Sequence, residues 1–416
     1  MTFDDIKVAI FLVVRYVRGA NIWTTILVIF VMLLTFLNLV VIGGLLEGII
    51  VGSLDGFRLR YAGDVFLTAN DNRPYIDRTQ DVIKKIEGSP WVKDYSVRYI
   101  GSASLFESEE FYGAVNPNVI PRSVGASVHG VDPVKESSVV GLHQRIIEGS
   151  YLTNNDRGWI LVGRGLVARH SPFGEFVLRD VYPGDEIYVS ISGGPVKKYR
   201  LRGVFGTKSG EFDLSIVMLE NELRKILGRT DRNASQIAVR VLDGVNADNA
   251  KEELLAIGTG KYAKVQTPAE AIGPFLNDIR NTFFTLGAAV GVISLIVSSI
   301  TIFIIIFVNA VSKQRHIGIL KGIGVTPVAI EISYVLYALF YVLIGMLLGL
   351  SLLYFFLVPY FEANPINFPF SDGILYVTTA GITLRLSFLV VTTIIASYIP
   401  AKLIVRKPAI QAIMDQ

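Results

Sequence analysis

Long uncharged runs divide the chain into a membrane part and a water-soluble part. Ile22–Leu46, Phe283–Val311 and Ile332–Val358 contain no charged side chain. A helix needs about 20 apolar residues to cross the roughly 30 Å hydrocarbon layer of a bilayer, and each run is longer than that. The three runs therefore predict three membrane-spanning helices.

A fourth apolar run is interrupted by one basic residue. Gly373–Pro400 contains Arg385, and a charged side chain near the bilayer centre is costly. Placing Arg385 at one interface and Lys402 at the other leaves a span of about 17 residues, the short end of the allowed range. We therefore predict a fourth span over residues 386–402.

The segment between the first two spans has the pattern of a folded, water-soluble domain. Residues 47–282 alternate apolar and polar positions in short runs, which turn signals such as Tyr182–Asp185 separate. Strands are predicted at Asp64–Thr68, Tyr95–Phe106, Trp159–Val162, Glu186–Ile191, Tyr199–Val204, Leu214–Met218 and Gln236–Val241, and helices at Arg78–Glu87, Glu220–Leu227 and Ala247–Ile257. The mixture indicates an α+β domain, with a division into two lobes left open.

The junction between this domain and the second span contains a helix-start signal. Thr267, Pro268 and Glu270 form a capping box with proline at the first helical position. We expect a helix that runs from there through Asn277–Arg280 into the second span, with a kink at Gly273-Pro274.

The N-terminal segment, residues 1–21, has an apolar stripe. Ile6, Ile10, Val13 and Val17 recur at helical spacing, with basic residues off the stripe. This pattern predicts an amphipathic helix along the cytoplasmic membrane interface. The alternative is that the segment is only the basic flank of a membrane helix.

Basic residues are concentrated on one predicted side of the membrane. They lie before the first span, between the second and third, and after the fourth: Lys7, Arg15, Arg18, Lys313, Arg315, Lys321, Lys402, Arg406 and Lys407. Because cytoplasmic segments are enriched in Lys and Arg, these segments and both termini are predicted to be cytoplasmic. The net charge of +3 is thus a topology signal, and no nucleic-acid partner is expected.

Composition supports an integral membrane protein. Hydrophobic residues make up 51% of the chain and charged residues only 18%, against about 25% in an average soluble domain. The sequence has no cysteine, which excludes disulfides, thiolate metal sites and a cysteine nucleophile. The four histidines do not have metal-ligand spacing, so we predict no metal site.

The predicted fold is an α-helical integral membrane protein with four transmembrane helices and a large extracytoplasmic α+β domain inserted between the first two. In order, the segments are an N-terminal helix (1–21), the first span (22–46), the inserted domain (47–282), the second span (283–311), a cytoplasmic loop (312–327), the third span (328–358), an extracytoplasmic loop (359–385), the fourth span (386–402) and a cytoplasmic tail (403–416).

The cytoplasmic loop between the second and third spans has the most specific local pattern. It mixes cationic, aliphatic and glycine positions: Lys313, Arg315, His316, Ile317, Gly318, Ile319, Leu320, Lys321, Gly322, Ile323 and Gly324. A loop that only connects two spans needs charges but not these aliphatic side chains. They predict a short helix that a protein surface or the membrane interface covers.

This loop resembles a known family. The run Ile317–Gly324 after Lys313-Gln314-Arg315 resembles the cytoplasmic signature of permeases in the MacB/FtsX/LolC–LolE superfamily of ABC transporters. The end of the chain, from Pro400 to Ile413, resembles that family's closing motif. Inside the insertion, Val65–Leu67, Glu148-Gly149, Leu161–Gly163, Pro183–Asp185 and Arg202–Phe205 resemble the MacB-type periplasmic core in the same order. Family members commonly have glutamate at the position of His316, so this loop is more basic.

The resemblance implies a function and partners. The loop would be the coupling element that docks on a cytoplasmic ATPase, and the complex would contain two ATPase copies and a second permease copy or a paralogue. The chain itself would be a non-catalytic subunit of the prokaryotic cytoplasmic (inner) membrane that binds no cofactor, with ATP used by its partner. Its cargo would be a lipophilic, lipoprotein or peptide substrate. A periplasmic adaptor is a further candidate partner.

Two other functions remain open from sequence. An FtsX-like signalling subunit would regulate a cell-wall hydrolase without transporting a substrate, although the large insertion favours transport. A membrane-anchored enzyme would need a catalytic constellation, and none can be assembled from residue spacing. The stretch from Gly258 to Tyr262 only partly matches a phosphate-binding loop, so the ATP site is expected on another polypeptide.

Two spans contain pairs of glycines at small-xxx-small spacing. These are Gly287 with Gly291 and Gly345 with Gly349. Small residues at this spacing let helices approach closely in a membrane. We predict that they are packing sites, within or between subunits.

Overall fold

The computed structural model describes residues 3–71, 73–107, 123–171, 177–272, 274–364, 366–367, 372–373 and 375–406. The chain forms two compact units. Met1–Ile49, Asp278–Ile366 and Gly373–Gln416 form the membrane unit, and Ile50–Asn277 with Asn367–Asp372 form the inserted unit.

Long helices build the membrane unit. They are α1 (Phe3–Arg18), α2 (Ile22–Phe57), α8 (Pro274–Ser312), α9 (Gln314–Gly322), α10 (Pro327–Leu352), α11 (Val358–Ala363) and α12 (Thr379–Val405). Wide π-helical turns extend α2 over Arg58–Ala62 and join α10 to α11 over Leu353–Leu357. The first residues of α8 and the last residues of α2 belong to the inserted unit.

Four helical segments are long and apolar enough to cross a membrane: Ile22–Ala62, Arg280–Ser312, Pro327–Ala363 and Thr379–Val405. Together with the α/β inserted unit between the first and second of them, they confirm the predicted fold class. Two helices extend past the predicted spans, because Glu47 lies inside α2 rather than at its end and α12 begins at Thr379 rather than near Leu386. Both differences occur at the end of a predicted span next to one charged residue.

The core of the membrane unit forms where α2, α10 and α12 meet. One stripe of α2 is buried at four-residue intervals, with Val28, Met32, Phe36 and Val40 at 3% exposure or less. A spacing of three or four residues places side chains on one face of a helix. The remaining faces of these helices carry exposed aliphatic side chains, as expected of surfaces that contact lipid.

The inserted unit combines strands with short helices. The strands are β1 (Val65–Thr68), β2 (Val92–Phe106), β3 (Val124–Val131), β4 (Ile146–Gly149), β5 (Trp159–Gly163), β6 (Glu186–Ile191), β7 (Lys197–Phe205), β8 (Ser215–Leu219), β9 (Gln236–Val241) and β10 (Lys264–Gln266). The helices are α3 (Thr79–Glu87), α4 (Pro133–Val140), α5 (Glu220–Ile226), α6 (Ala247–Ala256) and α7 (Pro268–Ala271). A two-residue strand pair, β11 (Ile366–Asn367) and β12 (Asp372–Gly373), lies near the third span in sequence.

One long strand organises the inserted unit. The strand order is β10-β1-β9-β2-β3-β8-β5-β7-β4, and β6 pairs with both β2 and β7. The first half of β2 pairs with β9, and its second half pairs with β3 and β6. Most pairs are antiparallel, whereas β3–β8 and β5–β7 are parallel. The two ends of β2 therefore serve two sheet regions, each with its own buried apolar cluster.

Each of the seven predicted strand runs contains a strand, but β3, β4 and β10 were not predicted. In β3 the glycine, alanine and serine residues between its valines have low strand propensity and hide the pattern. The predicted continuous helix from Thr267 into the second span is wrong. The capping box at Thr267 is present, but α7 ends at Ala271 because Ile272 is extended, with ψ of 127°, and a new helix begins at Pro274. The predicted kink site at Gly273 lies outside the described residues.

Candidate functional site

Local sequence signals define the helix between the second and third spans. α9 begins after Lys313 and ends at Gly322, with Ile323 as its C-cap. Gly324 follows with φ of +96°, a conformation that favours glycine. Thr326 then starts α10, because its hydroxyl accepts the backbone N–H of Ala329 at 3.3 Å and Pro327 occupies the first turn. The loop thus contains a helix of nine residues, which ends before Gly324 and the start of α10.

One face of α9 packs against its own bundle. Ile317 is 1% exposed and belongs to the apolar core of the membrane unit, and Leu320 packs against that core. Of the predicted docking residues, Ile317 and Gly318 are buried, Lys313, Leu320 and Lys321 are half-buried, and Arg315, His316, Ile319, Gly322, Ile323 and Gly324 are exposed. The aliphatic residues of the loop therefore divide between two faces.

The opposite face of α9 carries exposed apolar side chains. Ile319 is 49% exposed and Ile323 is 73% exposed. With His316 they occur at intervals of three and four residues, which places them on one side of the helix. We call His316, Ile319 and Ile323 the docking stripe.

Polar contacts hold α9 and its flanks at three points. The Lys313 ammonium lies 4.4 Å from the ring centroid of Tyr16 in α1. On the other flank, the Thr326 hydroxyl donates to Asp5 Oδ1 at 2.6 Å. The Lys321 ammonium donates to the carbonyl of Val405 at the end of α12. The helix is therefore connected to α1 and α12 as well as to the spans on either side of it.

Burial changes the acidity of the two half-buried lysines. Desolvation lowers the pKa of Lys313 below the ordinary lysine value. Desolvation also lowers the pKa of Lys321, and the nearby charge of Glu331 opposes that shift. Lys313 and Lys321 make contacts within the bundle, whereas the side chains of Arg315 and His316 are exposed.

The glycines at small-xxx-small spacing lie against α2. A Cβ atom at Gly345 would be 2.7 Å from Met32 Cβ, and one at Gly349 would overlap the Phe36 ring. At Gly287 a Cβ would be 2.6 Å from Leu46 Cδ1. A Cβ at Gly291 would be 3.6 Å from Leu39 Cδ2, which is an ordinary van der Waals contact. Gly287, Gly345 and Gly349 thus occupy close contacts within one chain.

Sequence reasoning missed a pairing between two helices. The Arg385 guanidinium lies 3.5 Å from the Glu47 carboxylate, which connects α12 to α2. The sequence predicts Arg385 only as a charge at a span boundary, with no partner. Gly43 and Gly44 in the first span were a further signal, because a Cβ at Gly43 would be 2.5 Å from Arg385 Nη2.

Comparisons with known proteins agree with this architecture. Residues 288–409 match the family model of the FtsX-like permease C-terminal domain. MacB, a macrolide export ATP-binding/permease protein of Salmonella typhimurium, is 30% identical over 131 residues, which is 31% of this chain and 20% of MacB. The chain thus contains an FtsX-like permease domain over residues 288–409.

Other relatives of this permease cover more of the chain at lower identity. An uncharacterized ABC transporter permease of Methanocaldococcus jannaschii is 24% identical over 210 residues, half of each chain. The crystal structure of the periplasmic region of MacB from Actinobacillus actinomycetemcomitans aligns with a TM-score of 0.34 and 15% identity, covering 52% of this chain and 94% of that one. The chain matches a fifth to a half of the length of the curated relatives named here.

The FtsX-like permease domain and the four apolar helices fit a multi-pass membrane protein. The loop containing the docking stripe falls inside the matched permease domain, whereas α1 and α2 precede it. The last part of the closing motif, from residue 407 onward, lies outside the described residues.

Proposed function

We propose that this permease is the membrane subunit of an ABC exporter whose ATPase is a separate cytoplasmic protein, and that the docking stripe of α9 is where the ATPase binds. Movement of the ATPase would be passed through the spans to the inserted unit, which would act on a lipophilic, lipoprotein or peptide cargo. The observation that carries the proposal is the exposure of Ile319 and Ile323 on a helix whose other face is built into the bundle.

The exposed stripe has the character of an interface core. Fully burying one aliphatic side chain of this size contributes about 1.5–3 kcal/mol, so a partner surface that covers both isoleucines gains a useful part of its affinity there. His316 and Arg315 on the same helix add polar and charged contacts at the edge. A hydrophobic centre with a polar rim is the usual anatomy of a protein interface.

The attachment of α9 suits the transmission of force. Its inward face is packed into the core, and contacts to Tyr16, Asp5 and Val405 hold its two flanks. A helix fixed in this way passes a displacement to its neighbours instead of bending alone. The docking surface is thus connected to α1, α10 and α12.

The region that most resembles a phosphate-binding loop has a different structure here. Thr259–Lys261 forms a single short turn that leads to β10, whereas a phosphate-binding loop leads into the N-terminus of a helix. This observation favours an ATP site on another polypeptide. By analogy with the family, we infer two ATPase copies and a second permease copy in the complex, both termini in the cytoplasm, and the prokaryotic cytoplasmic membrane as its location.

Co-purification tests the docking role. The full chain, tagged and expressed with the ABC ATPases of its own genome, is compared with the double variant Ile319→Asp/Ile323→Asp. We expect the unaltered chain to retain an ATPase and the double variant to lose it, because two carboxylates would be buried unpaired in the interface. Neither side chain belongs to the bundle core, so the variant is expected to insert and purify normally.

The control is Arg406→Asp, which introduces a carboxylate at an exposed position after α12 and outside the docking stripe. It is expected to retain the ATPase. Equal retention by the unaltered chain and the Ile319→Asp/Ile323→Asp variant would show that the ATPase binds elsewhere.

A further inference from the structure

Two charged residues meet where the first and fourth membrane helices approach each other. Arg385 Nη2 lies 3.5 Å from Glu47 Oε2, and the two side chains are 21% and 37% exposed. The residues are 338 positions apart in the chain, and both belong to the membrane unit. A charged residue within an apolar helix is expensive, so its presence calls for a specific role.

Helix geometry places this pair at the membrane face opposite α9. With a rise of 1.5 Å per residue, Arg385 lies about 30 Å from Val405, the end of α12 that contacts Lys321. This separation equals the thickness of the hydrocarbon layer. The same rise places Glu47 about 37 Å along α2 from Ile22. Both side chains therefore lie near the distal boundary of the membrane.

The guanidinium of Arg385 rests on the backbone of α2. A Cβ at Gly43 would be 2.5 Å from Arg385 Nη2, so any larger residue there would displace the guanidinium. Gly381, one turn before Arg385, leaves room on the other side, because a Cβ there would be 3.1 Å from Nη1. The position of the guanidinium thus depends on Gly43 of α2, and Gly381 of α12 leaves space for it.

A backbone contact supports the same approach. The Tyr376 N–H donates to the Gly44 carbonyl at 3.0 Å, and a Cβ at Gly44 would be 2.9 Å from Leu375 Cδ1. The segment that precedes α12 therefore packs closely against Gly43 and Gly44 of α2. Apolar packing alone would not need a charged pair at this step.

α12 has polar contacts to different helices at its two ends. At Val405 its carbonyl accepts from Lys321 of α9, and at Arg385 its guanidinium reaches Glu47 of α2. α2 in turn continues to Phe57, where its last residues belong to the inserted unit. α12 therefore spans the distance between the docking helix and the helix that leads to the inserted unit.

We propose that Glu47 and Arg385 are positioning residues through which α12 passes a displacement of α9 to α2. This proposal rests on the proposed function, because it needs an ATPase that moves α9. A single contact between partly exposed charges can separate and re-form as α12 shifts along α2. The attraction between the opposite charges favours their renewed contact.

The test uses the full chain in complex with the ATPase that it retains. Because the sequence has no cysteine, spin labels at Asn155→Cys and Leu347→Cys report the ATP-dependent distance between the inserted unit and the membrane unit without background. Both positions are exposed. The variants are Arg385→Gln, Glu47→Gln and the charge exchange Glu47→Arg/Arg385→Glu, each with ATP hydrolysis measured in parallel.

We expect the single variants to hydrolyse ATP while the ATP-dependent change in distance is lost, and the charge exchange to recover it. Gly43→Leu should also lose the change, because it displaces the guanidinium without altering any charge. Gly291→Ala is the matched control, since its nearest contact of 3.6 Å leaves room for a methyl group. A purely structural role would lower yield and thermal stability without separating hydrolysis from movement.

Single variants that keep the full change in distance would overturn this proposal. So would a charge exchange that hydrolyses ATP normally and still shows no movement. If the unaltered chain retains no ATPase, or its distance does not respond to ATP, the proposed function itself has failed. The two failures are thus distinguished by the behaviour of the unaltered complex.

Discussion

The two units of the chain each contain an arginine–glutamate pair, and the pairs are built differently. In the inserted unit Arg98 and Glu136 are fully buried, with contacts of 2.7 and 3.1 Å, and Arg98 also donates to the Tyr61 carbonyl at 2.6 Å. In the membrane unit Arg385 and Glu47 make one contact of 3.5 Å and are partly exposed. A pair with several short contacts fixes one geometry, whereas a pair with one long contact can part and re-form. The buried pair therefore holds the inserted unit in one arrangement, and the proposed role of the partly exposed pair requires that it can separate.

The largest expected effect comes from breaking the buried pair. Glu136→Gln leaves the Arg98 charge buried without its counter-ion, which should lower the free energy of unfolding of the inserted unit by about 3–5 kcal/mol. Urea unfolding of the full chain, followed by the fluorescence of its three tryptophans, of which Trp91 is buried in the inserted unit, measures this change. Lys198→Gln, which removes an exposed pair with Glu186, should leave the midpoint unchanged. A small effect of Glu136→Gln would remove the contrast between the two pairs.

A second variant tests whether the isolated buried charge causes the loss of stability. The double replacement Arg98→Met/Glu136→Leu removes both charges together, so no isolated charge remains in the core. We expect it to regain much of the stability that Glu136→Gln loses, although the Tyr61 carbonyl then lacks its donor. A double variant as unstable as the single one would show that volume and shape, rather than charge, determine the loss.

An intermediate effect is expected from packing in the membrane unit. Gly345→Val would place side-chain atoms where Met32 and the backbone of Leu33 already lie, and overpacking of this kind costs about 1–3 kcal/mol. The melting temperature of the full chain in detergent should fall. Gly291→Ala, whose new methyl group has ordinary spacing, should melt like the unaltered chain. If the Gly345→Val variant had the same melting temperature as the unaltered chain, α10 and α2 would be able to move apart at little cost.

The last effect concerns pH and the inserted unit, and over a single pH unit it is smaller than the loss expected from breaking the buried pair. Burial lowers the pKa of His129 to about 3, and the positive charge of Arg98 adds to the shift. The unfolded chain takes up this proton near pH 6.5 and the folded chain does not, so stability falls as pH decreases from 6.5 towards 3. The slope from this residue is at most about 1.4 kcal/mol per pH unit.

The variant His129→Phe tests that slope. Phenylalanine suits the site, since the His129 ring already makes edge contacts with Tyr61 and Phe212 at 6.1 and 5.1 Å between centroids. We expect urea unfolding between pH 5 and 6.5 to depend less on pH in the variant than in the unaltered chain. Identical slopes would mean that His129 is protonated in the folded state or does not titrate in this range.

The parts of the fold that sequence predicted are those with local signals. Apolar runs indicated the four membrane helices, and Gly324 and Pro327 marked the C-terminal end of α9. Alternation of apolar and polar residues indicated the regular strands, whereas β3, with two glycines among its eight residues, gave no such signal. Local patterns of residues are sufficient for these elements, because the backbone preference is set within a few residues.

The parts that sequence did not predict depend on contacts between distant residues. Ile317 and Ile319 are chemically equal, and only the position of the bundle decides that one is buried and the other exposed. Arg385 was placed at a span boundary because it is charged, whereas Glu47 allows it to lie inside α12. Such pairings become visible only when both helices are placed in three dimensions.

The most direct measurement of the central claim is the reaction of Ile323→Cys with a membrane-impermeant maleimide in inside-out membrane vesicles. The chain has no other cysteine, so the signal comes from this position alone. The account predicts rapid labelling when the permease is expressed alone and strong protection when its ATPase is bound. Labelling that is equally rapid with and without bound ATPase, or labelling of the same residue from outside intact cells, would contradict it.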